Sequence, residues 1–480
     1  MKFLVKKMQK TDQPNVSKRF YPFLVASLVL FLVLRFSPVL LELFLNFKPG
    51  SLPPTGVFTP SWILAGMVVG FLWLVWLINR YLATLRGWIE SNPKRFITAA
   101  LVVMVCVLAV GKGTFSVYTD ERRDVLVANV ISQTGVTVYT QLEGERKADL
   151  TEEEKWSLDW ARSLHPVGHY LPAKLVEKKE EAVFWRFFYG AFPLLLLAGM
   201  IWLWKPVDKE QIWFIALVGV LVLSSAYFRN YVLIRFSNEL VPAMGMSVFF
   251  LLLWRAAKGT RIPWSVETVL FAVPLFISVS AKYSTAVTWM AVMGAMGVVC
   301  LVGRDAKSLR VLLLCAGSGI LAIGLHIYLW QETDMLAGHR DNYGVKILKM
   351  LGVAPPDWMH PTGSGLEGST SSIPMLLIGS PLWFGPFVFT GFLAGAWVFL
   401  RRGLWRDSLW LFLTVMLVAN LIGVMAVNPR AAYLSPAVLP IAVFCALAFR
   451  KVLNNQQLRE LVFVAYAFVV INVFINSLTS

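Results

Sequence analysis

About thirteen stretches of this chain are apolar over lengths that match the hydrocarbon core of a bilayer, and this limits its fold more than any other feature. They fall at 21–46, 60–79, 96–111, 184–204, 211–227, 239–254, 264–281, 284–302, 309–330, 374–400, 408–427, 433–449 and 461–478. In lipid every backbone N–H and C=O needs an internal partner, so runs of this length fold as helices. Of the 480 residues 57% are hydrophobic and only 15% charged, too few charges to cover a set of soluble domains. The expected fold is an all-α polytopic membrane protein with about 13 transmembrane helices.

A formal charge of +16 raises nucleic acid as a partner, and the distribution of the cations argues against it. With the Lys/Arg-rich amino terminus (Lys2, Lys6, Lys7, Lys10, Lys18, Arg19) inside, the inner loops hold 24 basic residues. The short outer loops hold five: Lys48, Arg229, Arg235, Lys282 and Arg430. That bias is the retention of cations on the cytoplasmic side, and no nucleic-acid role is expected. The two longest loops, 112–183 and 331–373, then lie outside, each with more Asp/Glu than Lys/Arg. Cys106, Cys300, Cys315 and Cys445 fall within apolar runs, where a thiol behaves as a small apolar group, and disulfides are not expected. The first run follows a long basic segment without a small-residue cleavage site, the pattern of a retained helix.

Three parts are expected. Residues 1–95 form a basic amino terminus and a transmembrane hairpin joined by the Pro/Gly-rich turn Lys48–Gly56. Residues 96–450 form a transmembrane core with the two large outer loops, and 451–480 supply a final helix. In the first outer loop Leu126, Val127, Val130 and Ile131 recur at helical spacing, with Arg122, Arg123 and Asn129 on other faces, which predicts an amphipathic helix at the membrane surface. Gly135 closes it. An acidic stretch from Glu143 to Glu154 reads as a solvated face, and Trp156, Trp160 and Leu164 mark a second amphipathic segment.

The acidic pair Asp120-Glu121 stands at the mouth of the third run, where Asp120 can accept a proton from an incoming hydroxyl while Glu121 supports it. The structural alternative is a pair that caps the amphipathic helix. Lys282, in Ser280-Ala281-Lys282-Tyr283-Ser284-Thr285, is a cation among hydroxyls on an outer turn and suits a phosphate; the alternative is a lysine snorkelling to the interface. Arg430, with Tyr433, is a second outer cation, or an interface anchor. Arg123, His165, His169, Arg340 and His360 are the candidate substrate-binding residues of the outer loops. No spacing among the histidines suits a metal, and none is assigned; His326, inside a run, reads as a core histidine. No glycine-rich phosphate loop, nucleophile elbow or HExxH helix is present, so soluble nucleotides are not expected as substrates.

The order of these features resembles the GT-C superfamily of polyprenyl-phosphate-dependent glycosyltransferases, in particular the branch of protein O-mannosyltransferases and lipid A aminoarabinose transferases. The features are Asp120-Glu121, Gly135, His165-Pro166-Val167-Gly168-His169-Tyr170, Arg186, Ala281-Lys282-Tyr283 and the element from Arg430 to Pro440. The resemblance covers about residues 96–450. It departs from the family pattern at Val167, at Ala431-Ala432 between Arg430 and Tyr433, and in the two helices that precede the core. It implies a sugar donor on a polyprenyl phosphate and an acceptor hydroxyl on a lipid, glycan or protein. Asp120 would be the general base, Lys282, Arg430 and Tyr433 would hold the donor phosphate, and transfer would invert the anomeric configuration. No cofactor is implied, and the setting is a multi-pass protein of a bacterial inner membrane with its site facing outside.

Two rival readings remain. An O-antigen ligase or polymerase would work through the 331–373 loop with His339, Arg340 and His360. A lipid or solute transporter would carry ionisable groups at mid-membrane, whereas here they cluster at the ends of the apolar runs, with Glu239 and Glu267 nearest to exceptions. The charge bias predicts that a cysteine placed at Glu152 in a cysteine-free background reacts with an impermeant reagent from the extracytoplasmic side. Reaction only after access from the cytoplasm would invert the topology.

Overall fold

The computed structural model describes residues 209–225, 240–258, 263–303, 306–330, 384–404, 407–425 and 431–479 as continuous stretches. It also describes 91–95, 150–155, 352–359 and single positions at 26, 27, 29, 30, 87, 127, 130, 166, 341, 344, 345, 348 and 349. Among the described residues the protein is helical, with no strands. The helices are α1 (Lys209–Ser224), α2 (Leu240–Lys258), α3 (Trp264–Ala281), α4 (Ser284–Gly303), α5 (Ala306–Trp330), α6 (Pro386–Arg402), α7 (Ser408–Asn420), α8 (Val438–Val452) and α9 (Asn455–Thr479). A π-helical turn, Leu421–Met425, continues α7, and a 3-10 helix, Ala431–Ala437, leads into α8.

The helix boundaries have local causes. Pro386 opens α6 after Gly385, whose φ of 97° lies in a region that only glycine enters freely, and Gly403 at φ 59° ends it. The Asp407 carboxylate accepts from the N–H groups of Leu409 and Trp410 at the start of α7. Asn454 and Gln457 cap the start of α9 reciprocally, each side chain accepting from the other's N–H. Pro274 inside α3 removes the N–H that the Leu270 carbonyl would otherwise accept.

Among the described residues, four segments are long and apolar enough to cross a membrane: Trp264–Ala281, Ser284–Gly303, Ala306–Leu329 and Leu434–Val452. Their outward faces show what surrounds them. Val266, Val269, Leu270, Val273 and Ile277 form an exposed stripe along α3, and Leu309, Leu313, Ile320 and Leu321 continue the pattern on α5. Leaving such side chains in water forgoes ~1.5–3 kcal/mol each, and a lipid environment removes that penalty. This is the architecture of an all-α membrane protein.

Inside, α5 packs against both α3 and α4, α4 lies along α7, α1 against α8 and α9, and α6 along α8. The last pair approach closely because of Gly391 and Gly395, four residues apart. A Cβ on the first would meet Cys445, and one on the second would meet the ring of Phe444. Phe249 meets Phe271 edge-on to join α2 to α3, and Trp410 meets Phe444 to join α7 to α8. Cys445 and Cys315 are buried free thiols, and Cys445 donates weakly to the Val388 carbonyl; Cys106 lies outside the described residues.

In the 112–183 loop, Val127 and Val130 are helical and fully buried in the protein core, so at these two positions the apolar face predicted there is covered by protein. The acidic stretch ends in a helix start. Thr151 and Glu154 form a capping box, with the Glu154 carboxylate accepting from the Thr151 N–H and hydroxyl, while Glu152 is solvated.

Gly391→Val should destabilise the protein by ~1–3 kcal/mol through overpacking against α8. Gly294→Ala, where a Cβ meets open space on α4, should be neutral or stabilising by up to about 1 kcal/mol. Unfolding in detergent, followed by circular dichroism, checks both. Equal effects from the two changes would contradict the packing described.

Candidate functional site

The described ion pairs between helices lie at one end of the bundle and the largest group of buried hydroxyls at the other. At the end where α3 begins, charges are paired. Buried Glu267 accepts from the Arg310 guanidinium of α5 at 2.6 Å, and Glu210 of α1 accepts from Arg459 of α9 at 2.8 Å. Arg450 stacks over Phe214 and Arg401 over Trp397. These groups fasten helix ends together.

At the other end of α3 lies a buried cation among hydroxyls. Helix α3 stops at Ala281, Lys282 is extended (φ −159°, ψ 128°), and α4 starts two residues later at Ser284. Lys282 is 6% exposed, and Ser278, Ser280, Ser284, Thr285 and Thr288 around the turn are all buried. The turn is held by its own hydrogen bonds. The Ser278 carbonyl accepts from the Lys282 N–H at 3.0 Å and the Thr285 hydroxyl at 3.1 Å, and the Lys282 carbonyl accepts from the Thr285 N–H.

Two further helices complete the surroundings. From α5, fully buried His326 sets Nδ1 at 3.1 Å from the Ser280 hydroxyl, with its ring edge-on to Tyr283. From α7, the Thr288 hydroxyl donates to Oδ1 of Asn420 at 2.9 Å, in the last residue before the π turn. Gly423 in that turn brings its backbone against Val287 of α4. The 3-10 helix Ala431–Ala437 packs on α2, α4 and the π turn, with Ser435 buried. Among the described residues, the Ser284 hydroxyl and the Nδ2 amide of Asn420 have no hydrogen-bond partner.

The structure therefore encloses Lys282 in protein, a different position from that of a lysine extended to an interface, and brings the backbone carrying Tyr433 to the same end of the bundle. His326 is the core histidine expected of its position, and Glu267 is one half of a structural ion pair. Asp120, Glu121, Arg123, Gly135, His165, His169, Arg186, His339, Arg340, His360 and Arg430 lie outside the described residues, as does the side chain of Tyr433. Near them, Pro166 is buried, and Asp341 and Val345, one helical turn apart in the 331–373 loop, are buried as well. Sequence reasoning took Ser284 only as one of the hydroxyls around Lys282 and did not single out Asn420. The signal for Asn420 was present, since an amide inside an apolar run is rare unless it has a task. Among the described residues no group of three or more His, Cys, Asp or Glu side chains could hold a metal. Comparison with protein-family models, curated proteins and solved structures gives no match.

The hydroxyls around the turn are not equivalent. Thr288→Val should cost ~1–3 kcal/mol because it strips the buried Asn420 carbonyl of its donor, whereas Thr285→Val should cost under about 1 kcal/mol because the Ser278 carbonyl keeps the Lys282 N–H. Thermal unfolding of the two variants in detergent compares them, and a larger loss for Thr285→Val would contradict the bonding pattern.

Proposed function

We propose that this chain is a membrane glycosyltransferase of the GT-C type that moves a sugar from a polyprenyl phosphate to an acceptor hydroxyl on the extracytoplasmic side. About thirteen helices span the membrane, with the amino terminus and the Glu267–Arg310 end inside. The observation that carries this reading is the burial of Lys282 in a hydroxyl-lined turn. A cation held among hydroxyls at this end of a membrane bundle is placed to meet an anionic substrate group. The 3-10 helix that includes Tyr433 packs on the helix that starts beside Lys282, which supports a joint role for Lys282, Arg430 and Tyr433 at the donor phosphate.

In this mechanism Asp120 accepts the proton of the acceptor hydroxyl as its oxygen attacks the anomeric carbon from the face opposite the phosphate. The bond from carbon to phosphate oxygen breaks, the configuration inverts, and the polyprenyl phosphate leaves with the electron pair. Cations at the phosphate stabilise the charge that develops on the leaving group, the larger part of such catalysis. Glu121 supports the base, and Arg123, His165 and His169 line the acceptor side.

A second reading has one observation in its favour. Asp341, next in sequence to Arg340, and Val345 are buried, which favours a ligase-like enzyme working through Arg340 and His360 of this loop. Substitutions separate the two. Asp120→Asn keeps the shape and loses the base, and should lower turnover ~10²–10⁴-fold with donor binding retained. Lys282→Ala should weaken donor binding by ~1.5–3 kcal/mol. Sugar transfer at the parent rate by Asp120→Asn, with activity lost in Arg340→Ala, would replace the first reading by the second.

A further inference from the structure

We infer that the first turn of α4, with the Ser284 hydroxyl and the Asn420 amide, forms an oxyanion site for the phosphate group of a lipid or of free inorganic phosphate. The inference rests on the proposed transferase only for the lipid's identity. The site itself follows from the arrangement of donors.

Helix α4 is 20 residues long and its N-terminus faces the Lys282 turn, so its dipole favours negative charge there, while the Thr285 and Ala286 N–H groups are held by the Lys282 and Tyr283 carbonyls. Ser284 is its first residue, 2% exposed, and its hydroxyl has no partner among the described residues. Asn420 is 1% exposed. Its Oδ1 is occupied by Thr288, so only the NH₂ side of the amide remains to be used, and that too lacks a partner. Thr288 lies one turn below Ser284, with its hydroxyl 3.5 Å from the Ser284 carbonyl, which sets the Asn420 amide within roughly 6 Å of the start of α4. Lys282 adds positive charge two residues before the helix.

The Asn420 amide has only its NH₂ group left to use, and the Ser284 hydroxyl can donate beside it. An oxyanion with several oxygens can accept from the hydroxyl and the amide together, at the positive end of the α4 dipole. The π turn has a place in this scheme. A single π turn inside a transmembrane helix often marks a functional position, and this one begins at the residue after Asn420, where Gly423 lets the backbone close on α4.

The test uses the full chain in nanodiscs of zwitterionic lipid, titrated separately with a polyprenyl monophosphate and with inorganic phosphate. Asn420→Leu keeps the branched shape and removes the donor, Ser284→Ala removes one oxygen, and Thr414→Val, ~9 Å away along α7, is the control. The parent should bind at least one probe, Asn420→Leu and Ser284→Ala should each weaken binding about tenfold or more, and Thr414→Val should bind as the parent does. Binding of the lipid assigns the site to a lipid phosphate, and binding of inorganic phosphate alone assigns it to a soluble anion. No binding of either probe, or parent affinity in folded Ser284→Ala and Asn420→Leu, overturns the inference. If Asn420→Leu fails to fold, Ser284→Ala decides alone. Phosphate binding without sugar transfer would remove the transferase and leave the site. Sugar transfer with unchanged donor KM in both variants would do the reverse.

Discussion

A backbone carbonyl inside a bilayer has no water to turn to, and this requirement orders the whole bundle. It makes the described residues helical, and it concentrates difficulty wherever a helix stops. Between α3 and α4 the chain reverses within two residues, so the last carbonyls of one helix and the first N–H groups of the other must be satisfied inside protein. The Ser278 carbonyl does so with two donors, the Lys282 N–H and the Thr285 hydroxyl. Serine and threonine at this turn are therefore structural first, and they form a buried polar cluster as a by-product of ending two helices in an apolar setting.

That cluster contrasts with the opposite end of the same helix. Glu267 and Lys282 are separated by ~22 Å along α3, close to the thickness of a hydrocarbon core. Glu267 is neutralised by Arg310, an arrangement that holds helices together without leaving a charge to use. Lys282 lies among short hydroxyl side chains at the other end. The two ends thus differ in kind, one held by ion pairs between helices and the other by hydroxyls around a tight turn.

Much of this architecture was legible from the residues. The runs at 264–281 and 284–302 match α3 and α4 within one residue, because aliphatic composition and the polar punctuation of Lys282 determine both. The run at 374–400 did not foretell that α6 starts at Pro386, although Gly385-Pro386 is a strong breaker signal. The run at 408–427 concealed a change from α to π at Leu421, which depends on contacts with α4 that no local pattern encodes. Thr151 and Glu154 carried a capping-box signature inside what read as a solvated acidic stretch. At the site, Lys282 stood out by charge and position, whereas Ser284 and Asn420 acquire meaning only when α4 and α7 meet.

The most direct test of the central claim follows the donor. The purified protein, reconstituted in liposomes with a polyprenyl-phosphate-linked sugar carrying label in both sugar and lipid, should release polyprenyl phosphate in step with transfer of the sugar to an acceptor hydroxyl. The new glycosidic bond should have the anomeric configuration opposite to that of the donor. A donor that stays intact in the presence of lipid, glycan and protein acceptors, or a product of retained configuration, would contradict the account.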